Sequence, residues 1–351
     1  MRKISIPVRL FLLFVLGLAL CFPLVYEGFY IEVLTHIMII AIFAMSLDLL
    51  VGFTGLISLG HASFFGIGAY CLAIFFGQLD SFSLWAALPV SLAGAALVAV
   101  LIGWISIRTS GIYFIMITLA FAQMFYFFFF ESKRFNGDDG IFMLAKPEVK
   151  LGSLQLMDLG NEVTFYYFTL GILVAVFLFL IMIIRAPFGQ VITGICVNEP
   201  RVRSLGYATQ RYKLVSFVIA GTLAGLAGFL EAVHTGFITP SYLSWHESGA
   251  ILVVVILGGI GTFYGPVFGA VALVLLEDFL PDLTDHWKVL LGVIIILVVL
   301  FLPNGISSLS GKLFRRRVPP ASKLKKLAKE KFAETVTGNR HPDRKGNLNS
   351  K

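Results

Sequence analysis

Windows of about twenty apolar residues recur along most of this chain, each long enough to cross ~30 Å of hydrocarbon as a helix. Ten can be counted, at residues 10–26, 33–51, 62–79, 84–107, 111–130, 164–184, 214–233, 249–264, 266–281 and 289–305. A soluble fold of 351 residues has no interior large enough for that much apolar surface, whereas a bilayer solvates it. Charged residues make up only 13% of the chain, against about 25% in soluble domains. The expected fold class is an all-α polytopic membrane protein with about ten transmembrane helices.

Charge orients the count. With an even number of spans and the N-terminus inside, the cytosolic segments hold 22 of the 27 Lys and Arg residues. Only Lys133, Arg134, Lys146, Lys150 and Lys288 fall outside. The inverted topology reverses this ratio, so the bias places both termini in the cytosol. The first window follows Arg2, Lys3 and Arg9 as a signal peptide would, but no A-x-A site comes after it and it reads as an uncleaved helix. Residues 1–310 then form a transmembrane domain, and 311–351 a basic cytosolic tail. The tail carries Arg315–Arg317 beside the membrane and then Leu324, Leu327, Ala328 and Phe332 at helical spacing. That pattern suits an interfacial helix on anionic lipid, with 335–351 disordered. Topology explains the basic cluster without nucleic acid.

Between Met45 and Tyr70 the apolar pattern is broken by Asp48, Thr54, Ser58, His61, Ser63 and glycines at 52, 55, 60, 66 and 68. Polar groups at membrane depth are costly unless they face protein or a water-lined path. Two readings fit: a broken or re-entrant helix at a transport path, or a helix hairpin packed through small residues. Candidates along a path are Asp48, Thr54, Ser58, His61 and Ser63, with Thr118 and Gln123 in the fifth window. Asp48 either faces that path or caps a backbone break near its helix end. Gly52, Gly55 and Gly60, with Gly258, Gly259, Gly261, Gly265 and Pro266 later, are expected at hinges, tight turns and close helix contacts.

Two polar segments lie on opposite sides. The outer loop 131–163 contains Phe135–Phe142, an acidic, turn-rich stretch without the spacing of a calcium loop; it reads as a surface turn or a docking rim. The inner loop 185–213 carries stronger signals. Pro187 and Gly189 end the sixth helix, Asn198 caps a short helix with Pro200 in its first turn, and Gly206 closes it. This is either a docking element for a cytosolic partner or an ordinary basic loop.

No nucleotide-binding loop is present. Gly305 to Gly311-Lys312 has five intervening residues rather than four and continues into Leu313. His246-Glu247 lacks the second histidine of a zinc protease, and Cys21, Cys71 and Cys196 lie far apart, so no metal site is expected. Any ATP used in transport is spent by separate subunits, and this chain needs no cofactor of its own.

The string Leu47–Tyr70 resembles the signature of permease subunits of branched-chain amino-acid ABC importers. Further stretches occur in the family's order: Ser110–Gln123, Arg185–Gly189, Asn198–Tyr207, Arg211–Gly228, Leu257–Ala270 and Leu302–Ile306. The resemblance is closest to the larger of the two permease types. It implies a bacterial inner-membrane complex of two related permeases, two cytosolic ATPases and a periplasmic substrate-binding protein. It also implies that Asn198, Glu199, Pro200, Arg201 and Gly206 form the coupling helix that enters an ATPase cleft. Cys196-Val197 departs from the charged pair that relatives carry there. Cargo is expected to be leucine, isoleucine or valine, with urea or amides as the alternative within the family. A stand-alone ion-coupled transporter is the other class, and it would need a charged partner for Asp48 inside the membrane.

Overall fold

The computed structural model describes residues 17–24 and 28–306, apart from 78, 80–81, 144–145, 152–153, 263 and 303–304. Residues 10–16 of the first expected span and the basic tail from 311 lie outside the described residues. Helix α1 (Phe29–Asp48) runs into a π turn (Leu49–Thr54), and an irregular stretch leads to α2 (His61–Phe76). Next come α3 (Leu84–Ser106), α4 (Ile112–Phe130), α5 (Glu162–Arg185), α6 (Pro187–Ser204) and α7 (Thr209–Thr235). The chain continues through α8 (Trp245–Gly258), α9 (Gly265–Phe279) and α10 (Trp287–Phe301).

Five of these segments are long and apolar enough to cross a membrane: α1 with its π turn, α3, α4, α5 and α7. The helices α2, α8 and α10 are apolar but shorter. At 1.5 Å per residue, the 16 residues of α2 reach about 24 Å, short of a full hydrocarbon core. The deficit in α2 has a local cause. The stretch before it is non-helical and partly buried, with Leu56, Ser58 and Gly60 inside and Gly55 and Ile57 exposed, and irregular backbone at membrane depth survives where protein covers it or where it lines a cavity. The apolar window drawn at 249–264 ran into the expected glycine turn, which is apolar in composition but does not hold a helix, so α8 stops at Gly258; α9 starts at Gly265, within two residues of the window at 266–281 at each end.

Small residues let the central helices approach closely. On α7, Gly221, Gly225 and Gly228 meet α2 and α3 so tightly that a methyl group on Gly228 would overlap the Phe65 carbonyl, and one on Gly225 the Ala95 methyl. Ala95, Ala99 and Gly103 supply the matching small stripe on α3, the small-xxx-small pattern of helices associating in lipid. The far end of the bundle carries short strands. β1 (Ile141–Phe142) pairs antiparallel with β4 (Phe237–Ile238), and β2 (Glu148–Leu151) pairs with β3 (Leu154–Asp158). The acidic stretch Gly137–Asp139 forms a 3-10 turn just before β1, placed by Asn136 in the left-handed region.

Candidate functional site

The polar residues of the Met45–Tyr70 stretch converge on the end of α1. Asp48 is buried, and its Oδ1 accepts the Gly261 N–H at 2.8 Å. Gly52, one turn on, has no room for a side chain, since an added Cβ would stand 2.5 Å from both the Gly261 nitrogen and Asp48 Oδ1. The helix widens into the π turn and ends at Gly55, whose φ of +78° an L side chain adopts only with strain. Thr54 Oγ1 donates to the Leu49 carbonyl at 2.9 Å and lies 2.7 Å from Ser216 Oγ on α7. The chain then doubles back along α1. The Ser46 hydroxyl donates to the Phe43 carbonyl at 2.6 Å, so its 2.8 Å contact with His61 Nε2 requires the tautomer that donates from that nitrogen. The His61 ring stacks on Phe43, and Ser248 Oγ on α8 accepts the Ala62 N–H at 2.9 Å. Gly60 abuts the Thr118 carbonyl of α4, and Ser58 Oγ accepts the Gly60 N–H at 3.2 Å. Among the described residues, His61 Nδ1 and Ser63 Oγ are buried without a hydrogen-bond partner.

The glycine turn that meets Asp48 is held from within. An added Cβ on Gly258 would overlap the Gly265 carbonyl, and one on Gly265 the Thr262 hydroxyl. Gly259 donates to the Val255 carbonyl at 2.9 Å, and Pro266 sits in the first turn of α9, where its missing N–H is harmless. The chain beyond α10 returns here, with the Ile306 N–H donating to the Leu257 carbonyl at 2.8 Å.

A second arrangement occupies the arm between α5 and α7. Arg185 ends α5, Ala186 is extended, and Pro187 opens α6 instead of merely terminating its predecessor. Asn198 breaks α6 with φ −162° and ψ 92°, and its side chain accepts the Arg201 N–H at 3.1 Å. The short helix it caps closes at Gly206, which has φ of +89° and open space around its α-carbon. Glu199 points back into the protein rather than out. It pairs with Lys213 and accepts from Thr209 Oγ1 and Arg203, each at 3.0 Å. Burial works to raise the Glu199 pKa, but Lys213, Thr209 and Arg203 together outweigh it and hold the carboxyl below the ordinary glutamate range. Pro200 and Arg201 are exposed, flanked by Val197 at 80% and Leu205 at 71% exposure. A capped, ion-paired helix that turns apolar side chains to solvent suits a protein groove.

Residues 29–299 match the model of the family described as branched-chain amino acid transport system / permease component. The chain belongs to this permease family. The permease is 28% identical to the high-affinity branched-chain amino acid transport system permease protein LivM of Escherichia coli, over 86% of this chain and 75% of LivM. LivM of Salmonella typhimurium matches to the same extent. LivH of Salmonella typhimurium, a permease protein of the same kind of system, is 23% identical over 76% of this chain and 90% of its own. No solved structure gives a significant match.

The permease therefore carries two polar centres joined by α7. Asp48, Thr54, Ser58, His61, Ser63 and Thr118 all belong to the first and are each at most 2% exposed. Gln123 is half-exposed on α4. Asn198, Glu199, Pro200, Arg201 and Gly206 belong to the second. Sequence reasoning missed the groups that complete both: Ser46, Ser216 and Ser248 at the first, Lys213 and Thr209 at the second. Ser46 and Ser216 stand as polar residues in apolar windows, Ser248 follows His246-Glu247, and Thr209 and Lys213 lie in the polar run before the seventh window, and those were the available signals. Also unexpected is His36 on α1, whose Nδ1 lies 3.2 Å from Glu231 Oε2 on α7 toward the opposite end of the bundle.

Proposed function

We propose that this permease pairs with a second, related permease to form the translocation path of an ATP-driven importer in the bacterial inner membrane. Its cargo is a branched-chain or closely related amino acid, delivered by a periplasmic binding protein, and ATP is hydrolysed by two cytosolic ATPase subunits. Ten spans with both termini in the cytosol fit the charge bias. The observation that carries the reading is the short helix after Asn198. It is preformed by its cap and by the Glu199–Lys213 pair, and it presents Val197, Pro200, Arg201 and Leu205 to solvent as a rigid docking surface. Preorganisation of this kind lowers the ordering cost of binding.

In this reading the polar lining of the path is sealed in the present conformation. Asp48, Thr54 and His61 are tied to the glycine turn, α7 and α1 in turn, and with the buried hydroxyls beside them they become available to a zwitterionic substrate when α1 and its break separate from α4 and α8. Few polar groups suffice, because affinity resides in the binding protein and work comes from ATP.

Co-purification from native membranes in mild detergent, followed by leucine uptake into proteoliposomes, tests the assignment. The wild-type chain is expected with a second permease and ATPase subunits. Arg201→Glu or Leu205→Asp should insert normally but lose the ATPases and at least about tenfold of uptake, as expected when one centre of an interface is lost. ATPases retained by both variants would remove the docking-surface assignment.

A further inference from the structure

One continuous set of contacts runs from the exposed helix to the buried break. Glu199 is tied to Lys213 and Thr209 in the first two turns of α7. One turn further, Ser216 Oγ lies 2.7 Å from Thr54 Oγ1. Thr54 already donates its proton to the Leu49 carbonyl, so Ser216 is the donor and Thr54 the acceptor. Both residues are buried. A second contact reaches the same place: Gly55, directly after Thr54, packs against Cys196, just before the cap residue Asn198, with no space for a Cβ to sit comfortably. The other end of the π turn adjoins Asp48, which holds the glycine turn through Gly261. The π turn Leu49–Thr54 is thus gripped at one end by the arm and α7, and at the other by the turn between α8 and α9.

A π turn carries an extra residue relative to an α-helix, and such turns occur often at functional sites. Relaxing it to α-helical hydrogen bonding rotates the chain beyond Thr54 by about one residue, roughly 100° about the axis. A turn that switched between the two hydrogen-bonding patterns would convert small displacements into discrete ones.

Resting on the importer reading above, we infer that the π turn Leu49–Thr54 is the element through which the docking helix opens the buried break. Ser216 is the positioning residue that transmits the displacement of α7 to Thr54.

The test uses the full complex in proteoliposomes and measures ATP hydrolysed per leucine transported. Ser216→Ala removes only the α7 hydroxyl and leaves the Thr54–Leu49 bond in place. It is expected to assemble with the ATPases and hydrolyse ATP at close to the wild-type rate, while ATP consumed per leucine rises about tenfold. Ser216→Thr, which keeps the hydroxyl, should return the ratio to within about threefold of wild type. An unchanged ratio in Ser216→Ala overturns the inference and leaves the importer intact, whereas a wild-type chain that carries no ATPase overturns the importer itself. If Ser216→Ala does not assemble, Ser216→Cys replaces it, keeping the volume with a weaker donor. An intermediate ratio then supports the inference, and a wild-type ratio overturns it.

Discussion

The break after α1 and the helix after Asn198 are both interruptions in helical chain, and both close on a glycine with positive φ, Gly55 and Gly206. They are stabilised by opposite means. The polar groups of the break are buried although Gly55 and Ile57 are exposed, and they are neutral hydroxyls, an imidazole and amides placed against other helices, with Asp48 bonded to a backbone N–H. The short helix stands in contact with solvent and relies on charge, with Glu199 meeting Lys213 and Arg203. The difference comes from the surroundings. Where no water reaches, a backbone gap needs close packing and hydrogen bonds from neighbouring elements. At the surface a cap and an ion pair are enough, and the outer face stays free to bind.

The two interruptions should therefore respond very differently to a single methyl group. Gly60→Ala places a Cβ against the Thr118 carbonyl, a backbone atom that cannot swing aside. Overpacking of this kind costs about 1–3 kcal/mol, and here α2 and α4 have to separate to relieve it. Gly206→Ala meets nothing within 4 Å and carries only the strain of a positive φ, about 1 kcal/mol. Thermal unfolding in detergent should show a large drop in Tm for the first and a small one for the second. Equal drops would mean that the break is not packed more tightly than the arm.

A smaller effect is expected from Lys213→Met. Lys213 is buried and Glu199 keeps 24% of its side-chain surface, so the substitution leaves a half-buried carboxylate with only Arg203 and Thr209. Removing one partner of a fully buried pair costs about 3–5 kcal/mol, and the partial exposure of Glu199 places this case lower, at about 1–2 kcal/mol. The loss is local. Amide hydrogen exchange should accelerate across 198–206 with little change in 46–62, and acceleration in both segments alike would erase the distinction between them.

The arm was far more legible in the sequence than the break, and the reason is range. Asn198, Pro200 and Gly206 are cap, first-turn and closing residues of one short helix, so their roles can be read from spacing alone. Asp48 and the glycines of 52–60 announced an interruption in an apolar window, and the irregular backbone stands there. The groups that complete it came from elsewhere: Ser216 lies 162 residues from Thr54, and Gly261 lies 213 residues from Asp48. No periodicity connects such pairs. Glu199 shows the same limit at short range. Its place on the helix was readable, but its direction was not, since it turns inward to Lys213 fourteen residues on. The glycine turn at Gly258–Pro266 was itself legible; only its bound on the preceding helix was not, because the apolar window 249–264 overran Gly258, where α8 stops.

The mildest test is titration, and its sign is set by Glu199. The carboxyl is held below its unfolded value of 4.5, first against burial and then by Lys213, Thr209 and Arg203. A group with a depressed folded pKa stabilises above its unfolded pKa and loses that contribution as pH falls through the folded one. Exchange protection of 198–206 should thus be level from pH 8 to about 5 and decline below it, as the carboxylate takes up a proton and releases Lys213. Glu199→Gln should lower protection at neutral pH and flatten the acid limb. A decline in the arm that persists in Glu199→Gln would assign the pH response to another group and loosen the link between the ion pair and the preformed helix.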